Sequence, residues 1–114
     1  MSPLTPETLV WNLDNSHPEL GVALRAALRD VLDPEIGLNV IELGLVRQVT
    51  LLDLSAEIYM IMTTPFCPYA PALLDMTRVK AERVLGQPTT MEMGMEPWDP
   101  SMMEEGAAAA WGFF

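Results

Sequence analysis

Only three residues, Asp53-Leu54-Ser55, separate two strand-like runs, and that brevity is the tightest constraint in the chain. Leu45 to Leu52 is rich in Val, Leu and Thr. Ala56 to Met62 sets Ile58, Met60 and Met62 on one face. Strands joined so closely pair antiparallel, as a hairpin, because a parallel partner needs a long crossover. A third strand is written in Thr89 to Glu96, where Met91, Met93 and Met95 alternate with Thr90, Glu92, Gly94 and Glu96. That is the period of a half-buried strand, and its methionines read as core filling.

Helical periodicity surrounds these runs. Ser16 and Glu19 stand at capping-box spacing, with Pro18 in the first turn. Leu20, Leu24, Ala27, Leu28, Val31 and Leu32 follow, and Asp33-Pro34 ends the element, so a helix is predicted over Pro18 to Leu32. A second helix is predicted from Tyr69 to Leu85, with an apolar stripe of Leu73, Leu74, Met76, Val79, Val84 and Leu85 and a stop at Gly86. Ser101 to Ala110 reads as a third, opened by a Ser101/Glu104 box. The order α-β-β-α-β-α predicts an α+β fold with helices packed on one face of a small sheet. Residues 1–17, with Pro3, Pro6, Asn12 and Asn15, read as a loose N-terminal arm with one short turn of helix, and residues 18–114 as a single domain.

Charge narrows the function classes. Sixteen acids against six bases leave a formal charge of -10, which repels phosphate backbones and excludes nucleic acid as a partner. No apolar run is long enough to span a membrane, and the first 20 residues show no signal-peptide pattern. A single cysteine excludes an internal disulfide and any multi-cysteine zinc site. The expectation is a soluble, cytoplasmic protein.

Cys67 is the most informative residue. It lies in Thr63-Thr64-Pro65-Phe66-Cys67-Pro68, where a strand gives way to a helix, and a helix N-terminus lowers a thiol's pKa. A lone cysteine is also commonly a small buried hydrophobe, and that reading stays open. A phosphatase loop needs arginine six residues after the nucleophile, and Leu73 stands there. A redox pair needs a second cysteine. A Cys-His hydrolase needs a base, and the sole histidine, His17, is better explained by helix initiation. Asp33, Glu35 and Glu42 form an acidic stretch read either as helix termination with solvated charge or, for Asp33, as a neighbour of the Cys67 loop. Copper binding by the methionine stripe has no second methionine cluster to support it. Pro97-Trp98 reads as a packed corner.

An ordered set of segments carries a resemblance. Asp33-Pro34-Glu35, Leu43-Gly44-Leu45-Val46, Thr63 to Pro68, Pro97-Trp98 and the closing Trp111-Gly112-Phe113 occur in the order and at the spacing of the SufT/PaaD-like metal–sulfur (iron–sulfur) cluster biosynthesis domains. Over about residues 18–114 the chain resembles that family. The resemblance implies a compact α+β domain with a mixed sheet and a non-enzymatic, accessory role in assembling or delivering iron–sulfur clusters. It implies a site of Asp33, Thr63 and Cys67, with Thr64 beside them and Cys67 as the metal or cluster contact. PaaD-type members carry extra C-terminal cysteines, which this chain lacks.

One cysteine does not ligate a cluster alone, so no firmly held cofactor is expected, only a transient cluster completed by a partner, a second copy or a small thiol. The expected partners are the iron–sulfur assembly machinery or client apo-proteins. The apolar tail Trp111 to Phe114 either folds back on the core or forms an interface, and a homodimer or a partner interface is expected. Two other classes of function remain at this point: a thiol-dependent enzyme acting on an electrophilic substrate, and an adapter in which Cys67 only packs.

Overall fold

β1 (Val46–Leu51) and β2 (Ala56–Met60) form the expected hairpin, with Leu51 opposite Ala56 and Val46 opposite Met60. The Leu52 N–H donates to the Ser55 carbonyl at 2.7 Å and closes the turn. The computed structural model describes residues 9–34, 36–64 and 68–103. β3 (Thr89–Met93) joins the other side of β2 in parallel, Ala56 opposite Thr89 and Met60 opposite Met93. The result is a three-stranded mixed sheet, β1-β2-β3, with β2 central. The helix α3 (Ala70–Leu85) is the crossover that a parallel pair requires.

The sheet's pleat sorts its side chains. Ala56, Ile58, Met60 and Thr89 are buried on one face, while Glu57, Thr90 and Glu92 are exposed on the other. α3 covers the apolar face, burying every fourth residue: Leu73, Thr77, Ala81 and Leu85. α2 (Pro18–Leu28) packs on α3 and adds Leu24 and Leu28 to the core. This is the α+β arrangement with helices on one face that the sequence predicts. Among the described residues no helix is long and apolar enough to cross a membrane.

The structure departs from sequence expectation in several places. First, residues 9–17 are not loose. A short helix, α1 (Asn12–Ser16), lies against β1, and Trp11 and Leu13 are 2% and 0% exposed within the core. Trp11 Nε1 donates to the Val46 carbonyl at 3.1 Å, and the Arg25 guanidinium stacks 3.9 Å from its ring centroid. Asp14 accepts from the Trp11 N–H at 2.7 Å and from both Arg25 amino groups at 2.6 and 2.9 Å. The expected short turn of helix is present, but one buried tryptophan packs the arm onto the core. Residues 1–8 lie outside the described residues.

Second, Ser16 does not cap α2, because it is the last residue of α1; His17 is the cap and its Nδ1 meets the Ser16 hydroxyl at 2.9 Å. Third, α2 ends at Leu28 rather than Leu32, since the Val31 carbonyl accepts from Val40 N–H and Leu32 bridges Asn39. Strand-like pairing has taken the groups a further helical turn would use. Fourth, the methionine stripe is only partly core. Burial declines along β3 from Thr89 through Met91 to Met93, and Met95 is 73% exposed. Met76 of α3 is also exposed, off the i, i+4 stripe. At the C-terminal end Pro100–Met102 forms one 3-10 turn, with Asp99 rather than Ser101 supplying the cap. The remainder of the expected last helix, and the tail from Trp111 to Phe114, lie outside the described residues.

Candidate functional site

Asp33 follows the end of α2 and is completely buried. Its backbone closes a small turn: its N–H donates to the Leu38 carbonyl at 2.9 Å, and its carbonyl accepts from Gly37 N–H at 2.7 Å. Gly37 sits at φ +84, a left-handed conformation that glycine adopts without a Cβ penalty. The stem of the turn is the Leu32–Asn39 bridge. Asp33 has polar contacts, but its Oδ2 atom accepts no hydrogen bond. The sequence reading of Asp33 as a solvated helix terminator is therefore corrected.

A ladder of backbone bonds ties this turn to the end of β2. Val40 N–H donates to Val31, Leu45 N–H to Val40, and Ile61 N–H to Leu45, at 3.0, 3.0 and 2.9 Å. Thr63 and Thr64 follow Ile61 by two and three residues and are half-buried in a bend. The ladder thus brings the Asp33 turn and the two threonines to one end of the sheet. Cys67 lies outside the described residues, as does Glu35. Pro68 and Tyr69 resume the chain, and α3 begins at Ala70. His17 stands at the opposite end of α2 from Asp33, a helix of 11 residues or about 16 Å long. Among the described residues no group of three or more His, Cys, Asp or Glu side chains is arranged to hold a metal ion.

Two polar residues build the scaffold: Asn39, which sequence reasoning passed over, and Glu42, which it read as solvated charge. Asn39 Oδ1 accepts from the N–H groups of Ile41 and Glu42 at 3.0 and 2.8 Å, and Glu42 Oε1 accepts from Asn39 N–H at 3.1 Å. The signal was present: Asn39 and Glu42 stand at reciprocal capping spacing. Glu42 is thus a scaffold residue.

Leu43-Gly44 and Pro97-Trp98 prove to be one clasp. Trp98 Nε1 donates to the Leu43 carbonyl at 2.7 Å, and Arg47 donates to the Gly44 carbonyl at 3.0 Å. Gly44 sits at φ +71, and the Met102 carbonyl occupies the place a Cβ would take. Beside this clasp is a cleft of about 110 Å³ lined by Met62, Met93, Met95 and Trp98. Met62 immediately precedes Thr63, so the cleft adjoins the threonine bend.

On the open sheet face, the Tyr59 hydroxyl donates to Glu96. That bond, with burial and then the charges of Glu96 and Glu92, holds the phenol above its ordinary pKa.

The comparisons with known proteins agree on one group. A family model described as an iron–sulfur cluster assembly protein matches residues 22–91. An Fe-S protein maturation auxiliary factor of Porphyromonas gingivalis is 38% identical over 92 residues, covering 75% of this chain and 85% of its own. The auxiliary factor SufT of Staphylococcus aureus is 34% identical over 85 residues, covering 72% and 97%. A Bacillus anthracis domain of unknown function, DUF59, superposes with a TM-score of 0.75 at 28% identity, covering 88% of this chain and 98% of that one. A conserved hypothetical protein from Thermotoga maritima gives a TM-score of 0.65 at 32% identity, covering 78% and 90%.

Proposed function

Because the chain belongs to the iron–sulfur cluster assembly protein family, we propose that it is a non-catalytic accessory factor in the maturation of iron–sulfur proteins. The carrying observation is the family match over residues 22–91, which spans Asp33, Thr63, Thr64 and Cys67 in one stretch. The relatives at 38% and 34% identity are named as maturation auxiliary factors, which supports the same reading.

In this reading the cluster is cargo. Cys67 supplies one thiolate to it, and Asp33, Thr63 and Thr64 shape the surrounding pocket. The buried Asp33 carboxylate orients a donor, and the threonine hydroxyls offer hydrogen bonds to sulfide or thiolate sulfur. One thiolate leaves the other ligand positions of a cluster open. An assembly protein, a client apo-protein, a second copy of this chain or a small thiol completes them. Incomplete ligation suits a carrier, since a cluster held by four ligands from one chain would be slow to leave.

The test is anaerobic reconstitution with iron and sulfide in the presence of a small thiol, for wild type and Cys67→Ala. The expected result is visible absorbance with matching iron and sulfide in wild type alone, and transfer to an apo-ferredoxin-type acceptor. Equal iron and sulfide in Cys67→Ala would remove Cys67 from the mechanism. An absence of both binding and accelerated transfer in wild type would leave the accessory role without a cargo step.

A further inference from the structure

Among the described residues β3 is an edge strand, and its backbone alternation can be read from two bonds. Gly94 N–H donates to the Met60 carbonyl, and the Pro88 carbonyl accepts from Ala56 N–H. Even-numbered residues therefore face β2, and the N–H groups of Thr89, Met91 and Met93 point away from the sheet. Thr89 N–H is taken by the Glu82 carboxylate at 2.9 Å. Among the described residues Met91 and Met93 N–H donate to no protein atom. An open edge next to exposed apolar side chains is a template for another strand.

The two sides of this edge differ in chemistry. Toward the helices lie Met93, Met95 and Trp98 around the cleft, with Met93 41% and Met95 73% exposed. Toward the open face lie the exposed carboxylates of Glu92 and Glu96. No cation serves that face. Five of the six basic residues, Arg25, Arg29, Arg78, Lys80 and Arg83, belong to α2 and α3 or directly follow α2, and the sixth, Arg47, donates to the Gly44 carbonyl.

We propose that the outer edge of β3 takes up an extended segment of a partner protein as a fourth strand. Its apolar side chains pack against Met93, Met95 and Trp98, and its intervening lysines or arginines face Glu92 and Glu96. Strand addition supplies main-chain bonds, and the alternation of pockets supplies selectivity. Methionine surfaces adapt to varied apolar side chains, which suits a factor with more than one client. A second copy is a poor occupant, because pairing β3 with itself sets Glu92 and Glu96 against their own like charges. The segment runs toward Met62 and so toward the Thr63 bend. This inference does not depend on the cluster reading.

The probe is a short fluorescent peptide of alternating lysine and isoleucine, titrated into the full chain and followed by anisotropy. Two control peptides replace lysine by glutamate or carry N-methyl groups on alternate amides. The lysine peptide is expected to bind and both controls to fail. Slowed hydrogen exchange at Met91 and Met93 amides should accompany binding. Glu92→Lys with Glu96→Lys, a surface change, should weaken binding about tenfold or more. Met93→Pro, which removes an outward donor but no bond to β2, should do the same.

Equal binding of the N-methylated peptide, wild-type affinity in the lysine variant, or no binding near about millimolar peptide would overturn the proposal. So would protection of the Met91 and Met93 amides in the isolated chain, or a dimer that Met93→Pro dissociates. Those last two results would assign the edge to this chain itself.

Discussion

Trp11→Ala tests whether the N-terminal segment belongs to the fold. The side chain is 2% exposed, its Nε1 donates to the Val46 carbonyl, and its ring lies under the Arg25 guanidinium. Truncating a buried tryptophan costs about 3–5 kcal/mol. Leaving the Val46 carbonyl unmatched adds about 1 kcal/mol. A domain of this size is stable by of order 5–15 kcal/mol, so the variant should lose a large fraction of its stability. In urea, with a slope of about 1.5 kcal/mol per molar, the midpoint should fall by about 2 M or more. Trp11→Phe keeps most of the apolar burial and loses the hydrogen bond, so it should cost about 1–2 kcal/mol. Circular dichroism at the helical band follows both without relying on tryptophan emission. A loose arm would behave otherwise, because surface substitutions fall within about 0.5 kcal/mol of zero. A Trp11→Ala midpoint within that range would refute the packing described for α1.

Stability should fall in acid through Asp14, whose carboxyl is held below its ordinary value mainly by hydrogen bonds from Arg25, against the opposing effect of burial. The folded pKa lies below the unfolded one, so this contribution is complete above about pH 4–5 and is lost as pH falls through the folded value; urea midpoints measured down that range should flatten in Arg25→Ala, and an unchanged slope would disprove the coupling. Gly44→Ala forces a left-handed alanine against the Met102 carbonyl and should cost about 2 kcal/mol or more by denaturant titration, with Gly44→Ala as stable as wild type contradicting the clasp. Cys67 precedes α3 by three residues, and its alkylation midpoint is expected below the free-thiol value of about 8.5, so a midpoint at or above that value would count against a poised thiolate.

The fold was legible where structure is local. The three-residue turn at Asp53 to Ser55, the period of two in Met91 to Met95 and the Gly86 stop each carry their own signal, and each element formed within a few residues of expectation. Long-range pairing erased what local signals proposed elsewhere. Ser16 and Glu19 satisfy capping-box spacing, yet α1 claimed Ser16 once Trp11 and Leu13 were buried. Leu32 satisfies helical period, yet the Val31–Val40 bond and the Leu32–Asn39 bridge end α2 at Leu28. The third strand's methionines satisfy strand period, but period reports which side chains share a face and not whether anything covers that face.

The candidate site was less legible for the same reason. Asp33 lies among Val31, Leu32, Ile36 and Leu38, but a carboxylate followed by Pro34 and Glu35 reads as a solvated helix end, and local pattern does not announce its burial. Its turn is bonded to Leu38 and tied through Val31, Val40, Leu45 and Ile61 by backbone bonds that cross up to sixteen positions. Leu43 and Trp98 meet across 55 residues. Only an ordered set of segments, compared as a whole, carries information on that scale. Such a set does not separate scaffold from chemistry: Gly44 and Trp98 belong to it alongside Asp33 and Cys67, and their contacts explain them as packing. The separation comes from burial. The Leu43 and Gly44 carbonyls and Trp98 Nε1 are used within the clasp, whereas Asp33 is a fully buried acid in the turn that follows α2. A change at Gly44 should therefore act through stability, and a conservative change such as Asp33→Asn should act on cargo handling in a protein that still folds.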